Sequence, residues 1–106
     1  MLKPLVFFER QAKKLFKKYV SLKKDLLTLV QQLKEDPEQG TALGNNCYKV
    51  RLAIDSKGKE KSGGARIITY IVVSKKNVYL LSIYDKSEKE NLSDKELKEL
   101  LKNILN

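Results

Sequence analysis

The chain has 106 residues, with 22 Lys plus Arg against 13 Asp plus Glu, a formal net charge of +9 and 42% hydrophobic residues. That is one domain's length with one modest core, too apolar for a disordered tail. With no His and one Cys, a Ser-His-Asp triad, a Cys-His pair, a His-ligated metal, an intramolecular disulfide and a Cys-only zinc site are excluded.

The chain opens on an apolar stretch, Met1 to Phe8, before the charge of Glu9. It is too short for a signal peptide and no small-residue cleavage site follows. No apolar run approaches the roughly 20 residues of a membrane span. A soluble, cytoplasmic protein is expected, and the reduced Cys47 suits that compartment. A short strand within Leu2 to Phe7 is open, with Pro4 arguing only against a central one. Phe8, Ala12, Leu15, Phe16 and Tyr19 recur at helical spacing and predict a helix over 8–19. Ser21 can cap a second helix with the apolar face Leu22, Leu26, Leu29, Val30 and Leu33, ended by Asp36-Pro37. So short a connection predicts an antiparallel helical hairpin. Residues 37–46, with Pro37, Gly40, Gly44, Asn45 and Asn46, read as a loop.

The period then changes to two. Tyr48, Val50, Leu52 and Ile54 alternate with Lys49, Arg51 and Ala53, a strand with one apolar and one cationic face. Residues 55–64 form a basic loop. Arg66 to Val73 and Val78 to Tyr84 are strands joined at Ser74–Asn77. Both are apolar on both faces, so both should be central and covered on each side. Ser93-Asp94-Lys95-Glu96 fits a capping box and Leu92 with Leu97 a hydrophobic staple. Leu97, Leu100, Leu101, Ile104 and Leu105 give that last helix its stripe. The order predicts a single α+β domain over 1–106: helical hairpin, small antiparallel sheet, C-terminal helix.

The positive charge is clustered. Residues 1–24 carry eight cations and one anion, and residues 47–66 hold Lys49, Arg51, Lys57, Lys59, Lys61 and Arg66 against Asp55 and Glu60. Nucleic acid, an anionic membrane or an acidic protein would answer such clusters. A Lys-rich helix face is more commonly just a solvated surface. Lys49 and Arg51, two apart on a strand, share a face. An antiparallel pair brings Arg66, where the second strand opens, to the sheet end where Tyr84 and Lys86 close the third. Arg66 and Tyr84 share a face if they stand directly opposite and not if the turn offsets them by one. Such a cluster suits cleavage of RNA, whose own 2′-hydroxyl is the nucleophile. Arg and Lys stabilise charge on the phosphorane. A Lys among cations has a lowered pKa, so Lys or Tyr can then serve as base.

Plainer readings stand beside this one. Lys49 and Arg51 could be the solvated face of an edge strand, the favoured reading on pattern alone. Arg66 could pair with Asp55 or Asp85. Tyr84 could be core with its hydroxyl at the rim. Gly63-Gly64 could be only a turn, Asp55 and Glu60 loop charges, and Cys47 a packing residue.

Three stretches together resemble the RelE/ParE toxin superfamily, in particular its RelE/HigB-type mRNA interferases. They are Tyr48-Lys49-Val50-Arg51-Leu52, Lys61-Ser62-Gly63-Gly64-Ala65-Arg66-Ile67-Ile68 and Tyr79-Leu80-Leu81-Ser82-Ile83-Tyr84-Asp85-Lys86-Ser87. With the helical hairpin, the resemblance spans about residues 8–104. It implies a small curved antiparallel sheet, an N-terminal helical hairpin and a C-terminal helix, with any extra edge strand inside Leu2 to Phe8. It implies a type II toxin that cleaves mRNA in the ribosomal A site, without metal or other cofactor. Lys49, Arg51, Arg66, Tyr84 and Lys86 map onto the family's catalytic positions. The basic loop (Lys57, Lys59, Lys61) and helix (Lys13, Lys17) would contact ribosomal RNA. A small, acidic antitoxin would cover the cationic face or displace the C-terminal helix. ParE-like gyrase inhibition and a non-catalytic RNA- or partner-binding module are the alternatives.

Overall fold

Two hydrophobic periods, 3.6 at the ends of the chain and 2 in its middle, fold into a sheet with helices on both faces. The computed structural model describes residues 1–57, 64–88 and 91–105. Its elements are β1 (Leu2–Pro4), α1 (Val6–Lys18), α2 (Leu22–Glu35), β2 (Thr41–Gly44), β3 (Cys47–Leu52), β4 (Ala65–Val72), β5 (Asn77–Asp85) and α3 (Asp94–Leu105). Strand order is β1-β5-β4-β3-β2. The α+β class and its elements therefore follow the sequence-based expectation, and β4 and β5 lie inside the sheet.

The sheet buries two faces. On one, Phe8, Ala12 and Leu15 of α1 and Leu22, Leu29 and Leu33 of α2 close over Val50, Leu52, Ile67, Leu80 and Ile83. On the other, Leu97, Leu100 and Leu101 of α3 close over Cys47, Ile68, Leu81 and Tyr84. Double burial is why β4 and β5 lack alternation. The capping box of α3 is formed in both directions: Ser93 N–H donates to Glu96 Oε1 at 3.0 Å and Glu96 N–H to Ser93 Oγ at 3.1 Å.

Both sheet edges go beyond the expectation. The apolar start of the chain is a strand after all, and β1 pairs in parallel with β5, so the sheet is mixed rather than wholly antiparallel. Pro4 sits on an edge, where its missing N–H costs no ladder bond. Residues 37–46 are not all loop, because β2 pairs with β3. Every residue of β2 is exposed, so it carries no hydrophobic pattern, and backbone pairing alone defines it. Asn45 and Asn46, both with positive φ (53° and 63°), turn β2 into β3, as a tight primed hairpin turn requires.

Ser21 also differs. It precedes α2 but makes no capping bond and has helical φ and ψ. Its Oγ instead donates to Asp25 Oδ2 (2.7 Å) and accepts from Ser56 N–H (2.8 Å), while Asp55 N–H donates to the same Asp25 oxygen (3.1 Å). Ser21 thus ties the start of α2 to the segment leaving β3.

A bulge settles the register question. Arg66 stands directly opposite Tyr84, but past Ile68 the pairing slips, so that Thr69 faces Leu80. The extra residue lets Leu80 and Ile83, three apart, enter the same core, while Leu81 and Tyr84 enter the other. Gln11 of α1 holds this irregularity. Its Oε1 accepts from Ser82 Oγ and from Ile83 N–H, both at 3.0 Å.

Removing that acceptor leaves a partly buried N–H and hydroxyl unserved. Gln11→Ala is expected to lower unfolding free energy by about 1–3 kcal/mol, measured by urea denaturation. Cys47 makes a second test. Burial pushes its thiol up to about 11, so at pH 8 a disulfide reagent should label it only as fast as the chain opens. The raised value favours the protonated thiol in the fold. Stability from it is complete below the unfolded thiol's pKa, about 8.5, and is lost as pH rises toward 11.

Candidate nucleic-acid interface

The pairing puts Arg51 opposite Arg66 and Arg66 opposite Tyr84. Residues directly opposite have Cβ atoms about 5 Å apart, so three adjacent strands lay these side chains in a row on the α3 side of the sheet. Lys49 lies two residues before Arg51 on the same face. Lys86 follows β5 directly, and its N–H donates to Gly64 O at 3.1 Å. Lys49, Arg51, Arg66 and Lys86 line one cleft of about 370 Å³ together with Gly40 and Thr41. No carboxylate lines it among the described residues. Larger hollows of about 520 and 530 Å³ lie elsewhere, lined mostly by apolar side chains, so the convergent chemistry is in the smaller one.

Arg66 is the most constrained cation of the four. It is only 5% exposed, and its Nη1 donates to Ala65 O at 3.1 Å. Its pKa is lowered, first by burial and then by the charge of Arg51, with Tyr84 acting in the opposite sense. A guanidinium stays charged regardless. A buried cation beside a like charge is a poor stabilising device, and such arrangements cluster at functional sites. Lys49 is steadied from the start of the α3 segment, its Nζ donating to Asn91 Oδ1 at 3.3 Å.

Tyr84 departs from the rim position. It is 5% exposed, packs with Leu97, Leu100 and Leu101, and its hydroxyl is buried. It therefore flanks Arg66 from beneath α3 rather than opening into solvent. Asp85, a suggested partner of Arg66, turns its carboxylate to Tyr19, Lys18 and Ser87. The edge-strand reading of Lys49 does not hold, since β2 covers β3 and Thr41 pairs with Lys49.

The RNA-contact candidates are dispersed. Lys13 and Lys17 are exposed on α1, across the sheet from the cleft. Lys57 ends a short 3-10 turn, Asp55–Lys57. Lys59 and Lys61 lie outside the described residues.

Sequence reading missed Gly40 and Thr41 as cleft residues and undervalued Gly64. Gly40 has φ +101°, and a Cβ there would strike the Lys49 carbonyl. A Cβ on Gly64 would strike the Leu52 carbonyl. Both glycines allow a close backbone approach that any side chain would block. The available signal was the glycines themselves, but composition does not say what they approach.

Among the described residues no helix is long and apolar enough to cross a membrane. Solved structures share the fold. The toxin–antitoxin complex RelBE of E. coli aligns over 80% of this chain and 94% of the matched chain, at 19% identity and a TM-score of 0.63. An arginine-substituted mutant of E. coli RelE in the free state aligns over 99% and 97%, at 23% identity and a TM-score of 0.62. Isolated E. coli RelE aligns over 99% and 98%, at 21% identity and a TM-score of 0.58. Residues 5–104 match the family described as the RelE toxin of the RelE/RelB toxin–antitoxin system, and with that match over nearly its whole length the chain belongs to the RelE toxin family.

Proposed function

We propose that this chain is the toxin of a type II toxin–antitoxin pair and that it cleaves mRNA in the ribosomal A site. The observation that carries the reading is the cleft itself. Two strands, β3 and β4, and the turn after β5 bring four cations around one hollow with no lining carboxylate among the described residues. A phosphodiester passing through a phosphorane gains negative charge, and fixed cations stabilise that gain.

RNA supplies the nucleophile. The 2′-oxygen attacks phosphorus, the P–O5′ bond breaks, and a cyclic phosphate and a free 5′-hydroxyl result. One group must take the 2′-hydroxyl proton and another must give a proton to O5′. Arg66, buried and held by its own strand, is the charge stabiliser. Lys49 on β3 and Lys86 in the turn after β5 are the residues assigned to move protons, with Arg51 gripping phosphate. Tyr84 holds Arg66 from the α3 side. Acid–base assistance of this kind is worth about 10²–10⁴-fold, and alignment by the ribosome supplies the remainder.

The family match and the RelBE complex support a cognate antitoxin as partner. A protein presenting carboxylates would answer the four cations of the cleft.

Primer extension on a reporter mRNA, with and without programmed ribosomes, tests the activity. Cuts are expected at A-site codons with ribosomes only, and Arg66→Ala should reduce them at least 100-fold while leaving circular dichroism unchanged. A folded, antitoxin-free protein that cuts in neither tube would sink the reading, and a gyrase assay would follow. Separately, inorganic phosphate should raise the melting temperature. At ten times Kd the linkage is about 1.4 kcal/mol, several degrees for a chain this size. Lys49→Gln or Arg51→Gln should shrink that shift, as should added salt.

A further inference from the structure

The most deeply buried carboxylate among the described residues lies outside the cleft. Asp85 ends β5 with 2% exposure, and its carboxylate faces away from Tyr84, toward α1. Tyr19, the residue closing α1, donates its hydroxyl to Asp85 Oδ2, and Lys18 Nζ stands 3.5 Å from that oxygen. The other oxygen, Oδ1, accepts from Ser87 N–H at 2.9 Å and from Ser87 Oγ at 2.7 Å. Glu88 N–H donates to the Asp85 carbonyl at 3.0 Å, and Lys86 N–H donates to Gly64 O at 3.1 Å. Lys18 Nζ also reaches Glu88 Oε1 at 2.6 Å.

The residue bracketed by these bonds is Lys86. The residue before it is tied to α1, the residue after it is tied to that same carboxylate, and its own amide is tied to the segment entering β4. Its side chain meanwhile emerges on the opposite face, in the cationic cleft. A carboxylate held so far from water is a costly way to stabilise a turn unless its oxygens are hydrogen-bonded, as both are here. What a carboxylate adds is direction: two oxygens fix two elements at set distances.

We infer that Asp85, fixed by the Tyr19 hydroxyl, is a positioning residue that sets Lys86 in the cleft, linking the last turn of α1 to the chemistry across the sheet. The inference rests on the ribonuclease reading for its consequence but not for its geometry. Tyr19→Phe is the cleanest probe, because it keeps the ring and removes only the hydroxyl.

Two measurements decide it. In single-turnover cleavage on programmed ribosomes, Tyr19→Phe should lower the rate 10- to 100-fold with apparent ribosome affinity within about twofold. In a Lys86→Ala background the same change should have no further effect, since what it misplaces is already gone. Equal fold-losses in both backgrounds would show a merely structural role and overturn the inference. Amide hydrogen exchange gives an arm that needs no activity. Protection at Lys86 and Ser87 should fall at least tenfold in Tyr19→Phe, while Ile67 and Ile68 of β4 hold theirs. Unchanged exchange at Lys86 and Ser87 overturns the positioning claim whatever the enzyme does. A wild-type protein that cuts nothing sinks the ribonuclease reading, and the exchange arm then decides the geometry alone.

Discussion

Mutual repulsion is what the rest of this molecule must contain. Lys49, Arg51, Arg66 and Lys86 share one cleft, and on flexible segments they would separate toward solvent. A sheet prevents that, because ladder hydrogen bonds fix side chains two residues apart on one strand and directly opposite on the next. The four are held by backbone pairing and by two cores, one on each face of the sheet. Burial of Arg66 in the midst of them lowers its pKa, and the charge of Arg51 lowers it further. The local free energy is unfavourable, so the apolar packing of β4 and β5 on both sides must outweigh it.

Helix α1 takes a second part in this. Gln11 accepts from the bulge in β5, and Tyr19 reaches the carboxylate at that strand's end. Both contacts come from the helical face, yet both govern what stands on the cleft face. Without the bulge, strict alternation from Leu80 would turn residue 84 toward α1 and away from Arg66. One side-chain amide thus has a consequence on the far side of the sheet, because a strand transmits a one-residue slip as a change of face.

How much of this was legible depended on which force fixed each part. Helices α1, α2 and α3 were legible because burial wrote a 3.6-residue period into them, and β3 because half-burial wrote a period of two. The meeting of Arg66, Tyr84 and Lys86 at one sheet end followed from strand direction, and the shared face of Lys49 and Arg51 from their spacing, whereas the joining of the two sets in one cleft rests on the β3–β4 register. The bulge was not legible, since it rests on Gln11, some 70 positions away in sequence from Ser82 and Ile83. Strand β2 was hidden because it is exposed throughout and is held by backbone bonds, which are blind to side chains. Ser21 looked like a cap because Ser before an apolar run usually is one. Here Ser56 and Asp25 compete for its hydroxyl, and the tertiary contact wins. The burial of the Tyr84 hydroxyl was equally out of reach, because it depends on where α3 lies.

The composition of the cleft also bears on why such an enzyme would require the ribosome. Without His, none of the cleft's side chains has an ordinary pKa near neutrality. Proton transfer at pH 7 must then begin from groups poorly matched to the task, and acid–base help alone leaves most of the barrier standing. Orientation is the term that can make up the difference, since effective molarities for aligned groups far exceed those of any free reactant. The cationic cleft would hold phosphate on the proposed reading, while its lining of Gly40, Thr41 and four cations offers, among the described residues, no aromatic side chain to stack a base in line for attack. On the proposed reading the protein supplies charge and the ribosome supplies alignment, so neither is sufficient without the other. That division makes free RNA a poor substrate, and it leaves the cationic face as the surface an inhibitor must neutralise.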